Sequence, residues 1–185
     1  MGRIETRLTA ENIPYEMMPT GKAFDSFMFA YELDFDKYSA LVSVGGDGTV
    51  HEVVNGMMAR KDGKRLPVGM IGNGSGNVTM ISLGITDVDV ALDYIVAATC
   101  IKADIYKCLM DKEEDEGIPQ GLEGHDQRRY SLIITFLGDV TKLFDLAIPL
   151  KPEHGHKAYE LVFVEMLMAG DFQPYKFDVE IDGKT

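Results

Sequence analysis

The first hundred residues alternate short apolar runs with segments whose apolar side chains recur at helical spacing. That spacing predicts amphipathic helices over residues 22–32, 50–60 and 88–99. The intervening apolar runs predict strands over residues 13–18, 40–44 and 66–71. Thr20 is the predicted N-cap of the first helix, and Thr86 with Asp89 resembles a capping box before the third. Alternating strands and helices indicate parallel βαβ units, and therefore an α/β domain.

After residue 102 the pattern changes. Apolar and polar positions alternate over residues 101–109 and 175–181, which predicts strands there, and residues 129–137 and 159–168 are two further predicted strands. One helix is predicted between them, at residues 142–147. Strands in succession, with little helix between them, favour an antiparallel sheet or sandwich. We therefore predict two domains, an α/β domain over residues 1–102 and a β domain over residues 103–185. The acidic stretch 111–124 is predicted to be an exposed loop.

Charge and composition narrow the class of protein. The 185 residues carry a net charge of −12, which argues against nucleic-acid binding and against broad attraction to anionic membranes. No apolar run approaches the length of a membrane span, and the polar N-terminus does not resemble a signal peptide. The two cysteines form no metal or redox motif. These features predict a soluble protein of the cytoplasm with reduced thiols.

Two glycine-rich segments, each placed between an apolar run and a predicted helix, carry the strongest chemical signal. They are Gly-Gly-Asp-Gly-Thr at residues 45–49 and Gly-Asn-Gly-Ser-Gly-Asn at residues 72–77. Glycine lets a backbone turn sharply and approach a ligand, and a following helix N-terminus favours phosphate. A carboxylate among phosphates either binds a metal ion or accepts a proton, so Asp47 is the candidate catalytic residue. An isolated Asp at this place would be an ordinary turn residue, but the second glycine turn favours a polyphosphate site.

The twelve residues 45–56, Gly-Gly-Asp-Gly-Thr-Val-His-Glu-Val-Val-Asn-Gly, with Gly-Ser-Gly-Asn at 74–77, resemble the diacylglycerol kinase catalytic domain superfamily. This superfamily includes diacylglycerol, sphingosine, ceramide and bacterial lipid kinases. The resemblance implies a Rossmann-like nucleotide domain, similar to NAD kinase and phosphofructokinase, joined to a β-sandwich with ATP between them. The family's opening Asn-Pro-x-x-Gly loop and late Asp-Gly-Glu have no counterpart here. We therefore expect a chain truncated at both ends.

The resemblance also implies roles for individual residues in the first domain. Asp47 would be the general base toward a lipid hydroxyl, with Gly45, Gly46 and Gly48 beside the substrate. The implied nucleotide contacts, with ATP and Mg²⁺ as the cofactors, are Thr20, Gly46, Gly48, Thr49, Glu52, Gly74, Ser75 and Gly76. Asp104 corresponds to a position where some relatives have an Asp serving the Mg²⁺ site, and is otherwise an outward-facing strand residue.

Two further residues are implied in the second domain. Lys157 would reach the nucleotide phosphates, and Asp139 would contact the substrate. Sphingosine kinases have a second Asp, which meets the substrate amine, at the position of Thr141. His51 lies on the helix behind the first glycine turn, where it is either near a ligand or solvated.

The residues after the first glycine turn, His-Glu-Val-Val-Asn-Gly, look most like those of sphingosine kinases, so a sphingoid base is the expected acceptor. A diacylglycerol kinase is the alternative. An NAD-kinase-like or phosphofructokinase-like enzyme shares Gly-Gly-Asp-Gly-Thr but is disfavoured by the following residues. A non-catalytic nucleotide- or lipid-binding module is the third hypothesis. Contact with the membrane is expected to be peripheral and transient, and the sequence does not specify an oligomeric state.

Overall fold

The computed structural model describes residues 2–109 and 128–181, so the predicted acidic loop at 111–124 lies outside the described residues. The chain divides into two compact units, Met1–Ile133 and Ile134–Thr185. The predicted domain boundary at residue 102 falls inside the first unit. No helix among the described residues is both long and apolar enough to cross a bilayer.

The first unit is a mixed α/β structure with two small sheets. In chain order its elements are α1 (Gly2–Ala10), α2 (Asp25–Glu32), β1 (Leu41–Gly45), α3 (Asp47–Ala59), β2 (Val68–Gly72), α4 (Val78–Ser82), α5 (Val88–Val96), β3 (Tyr106–Leu109) and β4 (Arg128–Ser131). Strands β1 and β2 pair in parallel, and strands β3 and β4 pair antiparallel. The predicted βαβ unit around the first glycine turn is therefore confirmed, and so are the predicted helices corresponding to α2 and α5.

The centre of this unit is α3, whose apolar residues lie on two neighbouring faces. Val53 and Met57 pack with residues of α2 and β1 in one cluster. Val50 and Val54 pack with Met70 of β2 in a second cluster. Burial of both faces holds the helix rigidly behind the end of β1, so its first residue has a defined position.

Several local predictions in this unit are wrong. Residues 13–18 form no strand, and α1, whose Ile4 and Leu8 are buried against α5, was not predicted. Thr20 does not cap α2, because that helix begins only at Asp25, whose carboxylate accepts N–H bonds from residues 21 and 22. The cap of α5 is Asp87 rather than Thr86, since the Asp87 carboxylate accepts the N–H groups of residues 89 and 90.

Among the described residues of the second unit, regular structure is mainly helical, whereas the sequence predicted mainly strands. It contains α6 (Val140–Ala147), a 3₁₀ turn (Ile148–Leu150), α7 (Lys151–His154) and α8 (Lys157–Ala169). The predicted helix at 142–147 is confirmed, but the predicted strand at 159–168 is wrong. Ala158, Val162 and Met166 recur every four residues and are buried with Ala147 of α6, which stabilises a helix.

The predicted strand at 175–181 is also absent, apart from a single bridging residue at its end. Of the strand predicted at 129–137, only its start is present, in β4. The described residues therefore do not confirm the β-sandwich. Of the segments predicted as its strands, residues 159–168 form a helix and residues 175–180 are irregular chain. Short apolar runs fit a buried helix as well as a strand, so periodicity alone did not distinguish them.

Candidate active site

The two glycine turns lie side by side because the strands that precede them are paired in register. Gly45 of β1 is opposite Gly72 of β2, and the N–H of Asn73 donates to the Gly45 carbonyl oxygen at 2.9 Å. A Cβ built on Gly74 would lie 2.4 Å from the Cα of Gly46. Such an approach excludes any larger residue at this contact, so the glycines are required by the geometry of the paired turns.

The side chain of Asn77 closes the second turn. Its Oδ1 accepts the N–H of Gly74 at 2.9 Å, and its Nδ2 donates to the Gly74 carbonyl oxygen at 3.0 Å. Asn77 itself has a φ of 50°, in the left-handed region that Asn tolerates better than most residues. The sequence places Asn77 in the glycine motif but does not by itself indicate this bonding role. The tolerance of Asn for left-handed backbone is a local feature that is consistent with it.

Asp47 is the first residue of α3, and its carboxylate reaches across to the second turn. Its Oδ1 accepts the N–H of Thr79 at 2.8 Å, and its Oδ2 accepts the N–H of Val78 at 3.1 Å. Burial raises the pKa of Asp47, but bonds from Thr79, Val78 and its own N–H outweigh that effect and hold the pKa below its ordinary value. Asp47 is therefore ionised at neutral pH and joins the two glycine turns.

Other donors on these turns remain available to a ligand. Within the described residues, the N–H groups of Gly48, Ser75 and Gly76 have no protein acceptor. The side chain of Thr49 fills the space beside Gly45, where an added Cβ would stand 2.3 Å from the Thr49 Oγ1. Free N–H groups at a helix start and on an adjacent turn suit anionic oxygens, so these residues fit the phosphates of a nucleotide.

Two of the predicted nucleotide contacts lie on different elements. Glu52 on α3 accepts the N–H of Phe24 through its Oε1 at 3.2 Å, which ties α3 to the start of α2. Thr20 is exposed in the irregular segment before that helix. Phe24 has a φ of 66°, and the bond to Glu52 holds this left-handed turn in place. Contact of Thr20 and Glu52 with a nucleotide stays a prediction.

Two polar residues farther along α3, His51 and Asn55, have different surroundings. Asn55 is buried and forms a two-bond pair with the backbone of Tyr130 in β4, donating Nδ2 to the carbonyl at 2.9 Å and accepting the N–H at 2.8 Å. Asn55 thus fixes β4 to α3, a role that the sequence did not indicate.

His51 lies one turn before Asn55 on the same helix. Neighbouring atoms that shield its ring from water, and the positive charge of Arg129, hold the pKa of His51 below its ordinary value.

The predicted site for a magnesium ligand is less defined. Asp104 is exposed and lies in irregular chain just before β3, outside the strand that was predicted for it. Within residues 2–109 and 128–181, no three His, Cys, Asp or Glu side chains cluster as they would around a metal ion. The described side chains therefore do not form a dedicated Mg²⁺ site.

The candidate residues of the second unit have their own environment. Asp139 is buried at the start of α6, where it accepts the N–H of Gln173 at 2.7 Å and the Tyr175 hydroxyl at 2.8 Å. Its Oδ1 also pairs with the ammonium group of Lys142 at 2.7 Å. Lys157 is the first residue of α8 and is exposed. Asp139 is thus engaged within its own unit, and a contact with substrate stays a prediction.

Comparison with known proteins places this geometry in context. Sphingosine kinase 1 of Arabidopsis thaliana is 40% identical over 75 residues, covering 39% of this chain and 16% of that protein. A putative lipid kinase of Streptococcus pneumoniae serotype 4 is 40% identical over 89 residues, covering 48% of this chain and 30% of the relative. Diacylglycerol kinase of Bacillus subtilis is 29% identical over 165 residues, covering 88% of this chain and 47% of the relative.

The chain thus spans less than half the length of each of these relatives. The family model for the diacylglycerol kinase catalytic domain matches residues 1–108, which include both glycine turns and Asp47. That match covers more than half of the sequence. The chain therefore belongs to the diacylglycerol kinase catalytic domain family.

Proposed function

We propose that this chain carries the phosphate-binding turns and the general base of an ATP-dependent lipid kinase. The observation that carries the proposal is the joining of the two glycine turns by Asp47, which places an ionised carboxylate beside unpaired N–H donors. When bound, ATP supplies the γ-phosphoryl group that is transferred to the lipid oxygen. Its phosphate oxygens would accept the N–H groups of Gly48, Ser75 and Gly76.

In the proposed mechanism Asp47 would accept the proton of the lipid hydroxyl as that oxygen bonds to the γ-phosphorus, while the bond from this phosphorus to the β–γ bridging oxygen breaks and ADP leaves. The two carboxylate oxygens together have four lone pairs, so the N–H bonds from Val78, Thr79 and Asp47 itself leave one for the hydroxyl. The lowered pKa keeps the carboxylate ionised at neutral pH, which is the state that can accept a proton. Mg²⁺ belongs to the proposal as the partner of the phosphates, with Asp104 as the candidate ligand from this chain.

We propose a sphingoid base as the acceptor, following the motif that runs from His51 to Gly56. The sphingosine kinase of Arabidopsis thaliana, 40% identical over 75 residues, supports this choice. Diacylglycerol is the second candidate, because the diacylglycerol kinase of Bacillus subtilis aligns over 88% of this chain. Peripheral contact with a membrane and location in the cytoplasm are parts of the same proposal, since the acceptors are bilayer lipids.

Phosphoryl transfer from labelled ATP and Mg²⁺ to sphingosine, diacylglycerol or ceramide in mixed micelles tests the proposal. Asp47→Asn should lower transfer on the order of 10²-fold or more if Asp47 is the base. Asp87→Asn is the matched control, because Asp87 also accepts two N–H groups at a helix start but lies outside the glycine turns.

Labelling of sphingosine that is lost in Asp47→Asn and kept in Asp87→Asn would support the proposal and its acceptor. Labelling of diacylglycerol alone would select the second candidate. The same assay should be run on the longest natural protein that contains this chain. If that protein is folded and binds ATP but labels no lipid, it is a non-catalytic binding module, and the kinase proposal is wrong.

A further inference from the structure

The second glycine turn contains an Asn-Gly dipeptide at residues 73–74, and its asparagine is open to solvent. Asn73 is exposed in irregular chain directly after β2, where its backbone N–H donates to the carbonyl oxygen of Gly45 at 2.9 Å. Among the residues that the structure describes, no group bonds the Asn73 carboxamide. The backbone of Asn73 is thus anchored, while its side chain can turn toward the nitrogen of the next residue.

Gly74 cannot be exchanged for a residue that would shield this nitrogen. An added Cβ would lie 2.4 Å from the Cα of Gly46, so the paired turns require glycine here. Attack of the Gly74 nitrogen on the carboxamide carbon closes a five-membered ring, and such a reaction within one dipeptide needs no catalyst. The close approach of the two turns therefore leaves Asn73 in a sequence that is chemically labile.

We propose that Asn73 is a site of spontaneous deamidation, and that Asn77 slows the reaction by holding the N–H of Gly74. The Gly74 nitrogen loses its proton to hydroxide and bonds to Cγ of Asn73. The bond from Cγ to Nδ2 breaks, and Nδ2 takes a proton from water and leaves as ammonia. Water then opens the succinimide at either carbonyl carbon, which gives aspartate or isoaspartate at residue 73.

The side chain of Asn77 opposes the first step of this reaction. Its Oδ1 accepts the N–H of Gly74 at 2.9 Å, and its Nδ2 donates to the Gly74 carbonyl oxygen at 3.0 Å. The nitrogen of Gly74 must give up the first of these bonds before it can attack. The net strength of one such bond corresponds to a slowing of about threefold to tenfold.

The first test is incubation of the full chain at mildly alkaline pH, with peptide mapping by mass spectrometry to follow each asparagine. Asn55 with Gly56 is the internal control, since it is the same dipeptide but Asn55 is buried and bonded to the backbone of Tyr130. In an unfolded chain neither asparagine would be protected. Selective conversion of Asn73 therefore comes from the folded protein.

We expect Asn73 to convert, with isoaspartate among the products, while Asn55 stays intact. A synthetic peptide of residues 70–80 supplies the rate for unstructured chain, and Asn73 in the protein should react more slowly than in this peptide. Conversion of Asn55 at the rate of Asn73 overturns the proposal. So does an intact Asn73 after the peptide has fully converted.

Two variants test the role of Asn77. Asn77→Gly removes the side chain that holds the Gly74 N–H, and glycine accepts the left-handed backbone at this position. It should speed conversion of Asn73 about threefold to tenfold, whereas Asn77→Asp retains an acceptor and should be no faster than wild type. A wild-type rate in folded Asn77→Gly overturns this role. Selective conversion in the wild-type chain needs neither variant, so it decides the modification site even if both fail to fold.

The consequence for ligand binding rests on the proposed function. Deamidation puts a negative charge on the turn that carries the unpaired N–H groups of Ser75 and Gly76. Because this charge repels phosphate, Asn73→Asp should weaken ATP binding about tenfold in calorimetry. Asn12→Asp makes the same change at an exposed site outside the turns and should leave the affinity unchanged.

An ATP affinity in Asn73→Asp equal to that of the wild type overturns this consequence. If the wild type binds no ATP while Asn73 converts selectively, the proposed function is wrong and the deamidation site stands.

Discussion

Gly56 lies on the face of α3 that packs against α2, and its lack of a side chain determines how closely the two helices approach. A Cβ built at this position would stand 2.1 Å from the Phe27 carbonyl oxygen, far inside a nonbonded contact. Gly56 is the last residue of the motif after the first glycine turn, and the structure gives it a packing role.

The first prediction is that Gly56→Ala destabilises the protein. Alanine in a helix interior is otherwise favoured over glycine by about 1 kcal/mol, but overpacking against a backbone carbonyl costs more. We expect the free energy of unfolding in urea to fall by about 1–2 kcal/mol. Gly2→Ala in α1 is the control, since its added Cβ meets nothing within 4 Å. Equal stability of Gly56→Ala and wild type would contradict the packing argument.

Single residues also show why parts of the site were not predictable. Asp47 could be identified as a candidate from the sequence because glycines flank it on both sides. The pairing of Asn55 with Tyr130 joins residues 75 positions apart, and nothing in the local sequence of either residue indicates it. The local sequence likewise does not indicate that Thr79 bonds Asp47, because only the parallel register of β1 and β2 brings the two turns together.

Among the elements, α2 and α3 are joined at their C-terminal ends by Arg60. Its Nη1 donates to the carbonyl oxygens of Tyr31 and Leu33, each at 2.8 Å. Its guanidinium lies 3.9 Å from the centroid of the Phe35 ring and pairs with Asp62 at 2.6 Å. With 8% of its side chain exposed, Arg60 supplies the charge and the donors that the end of α2 lacks.

We expect Arg60→Ala to lower the free energy of unfolding by about 2–4 kcal/mol, because the carbonyl oxygens at the end of α2 lose a charged donor. Arg60→Lys should recover only part of this, since an ammonium group lacks the planar fork. Lys61→Ala, at an exposed neighbouring position, provides the comparison. Arg60→Ala and Lys61→Ala proteins with the same urea midpoint would show that this contact does not matter.

In the second unit, Asp139 ties the segment after α8 to the start of α6. Bonds from Lys142, from the N–H of Gln173 and from the Tyr175 hydroxyl lower the pKa of Asp139 to about 2 from 3.8. Since the pKa of Asp139 is lower in the folded state, its contribution to stability is complete at any pH well above the pKa of the unfolded state. It is lost as the pH falls through about 2.

The corresponding prediction concerns the Gln173 amide proton. Its exchange protection should decrease as the pH falls through about 2, and Asp139→Asn should show the decrease already at neutral pH. Hydrogen exchange followed by NMR measures both effects. Asp145→Asn, an exposed carboxylate on the same helix, should leave the protection unchanged. Full protection of Gln173 in Asp139→Asn would rule out this tie.

Some helices could be predicted from the sequence, and others could not. Helix α3 was predicted because its apolar positions recur at helical spacing and glycines mark its start. The sequence of α8 predicts a strand instead, because most of its residues are apolar. Such a run fits the two-residue period of a strand as well as the 3.6-residue period of a helix. Only the burial of one stripe, Ala158, Val162 and Met166, against the second unit's other helices identifies it.

At the scale of the whole molecule, the net charge sets the sign of any long-range electrostatic interaction with a lipid surface. Its 30 acidic and 18 basic side chains give −12, so repulsion opposes approach to anionic headgroups. We predict that the chain sediments less with anionic vesicles than with neutral phosphatidylcholine vesicles at low salt, and that added salt reduces the difference. Preferential sedimentation with the anionic vesicles would mean that a local basic surface outweighs the net charge.

The β1–α3–β2 unit with its glycine turns, the helices α2 and α5, the acidic character and the family could be predicted from sequence. Each of these depends on residues that are neighbours in the chain. Contacts between distant residues decided the rest. The bonds that the N–H groups of Val78 and Thr79 donate to Asp47 join residues 31 and 32 positions apart. They depend on strand register, which local patterns leave open. The helical state of α8 depends in the same way on what its apolar stripe packs against.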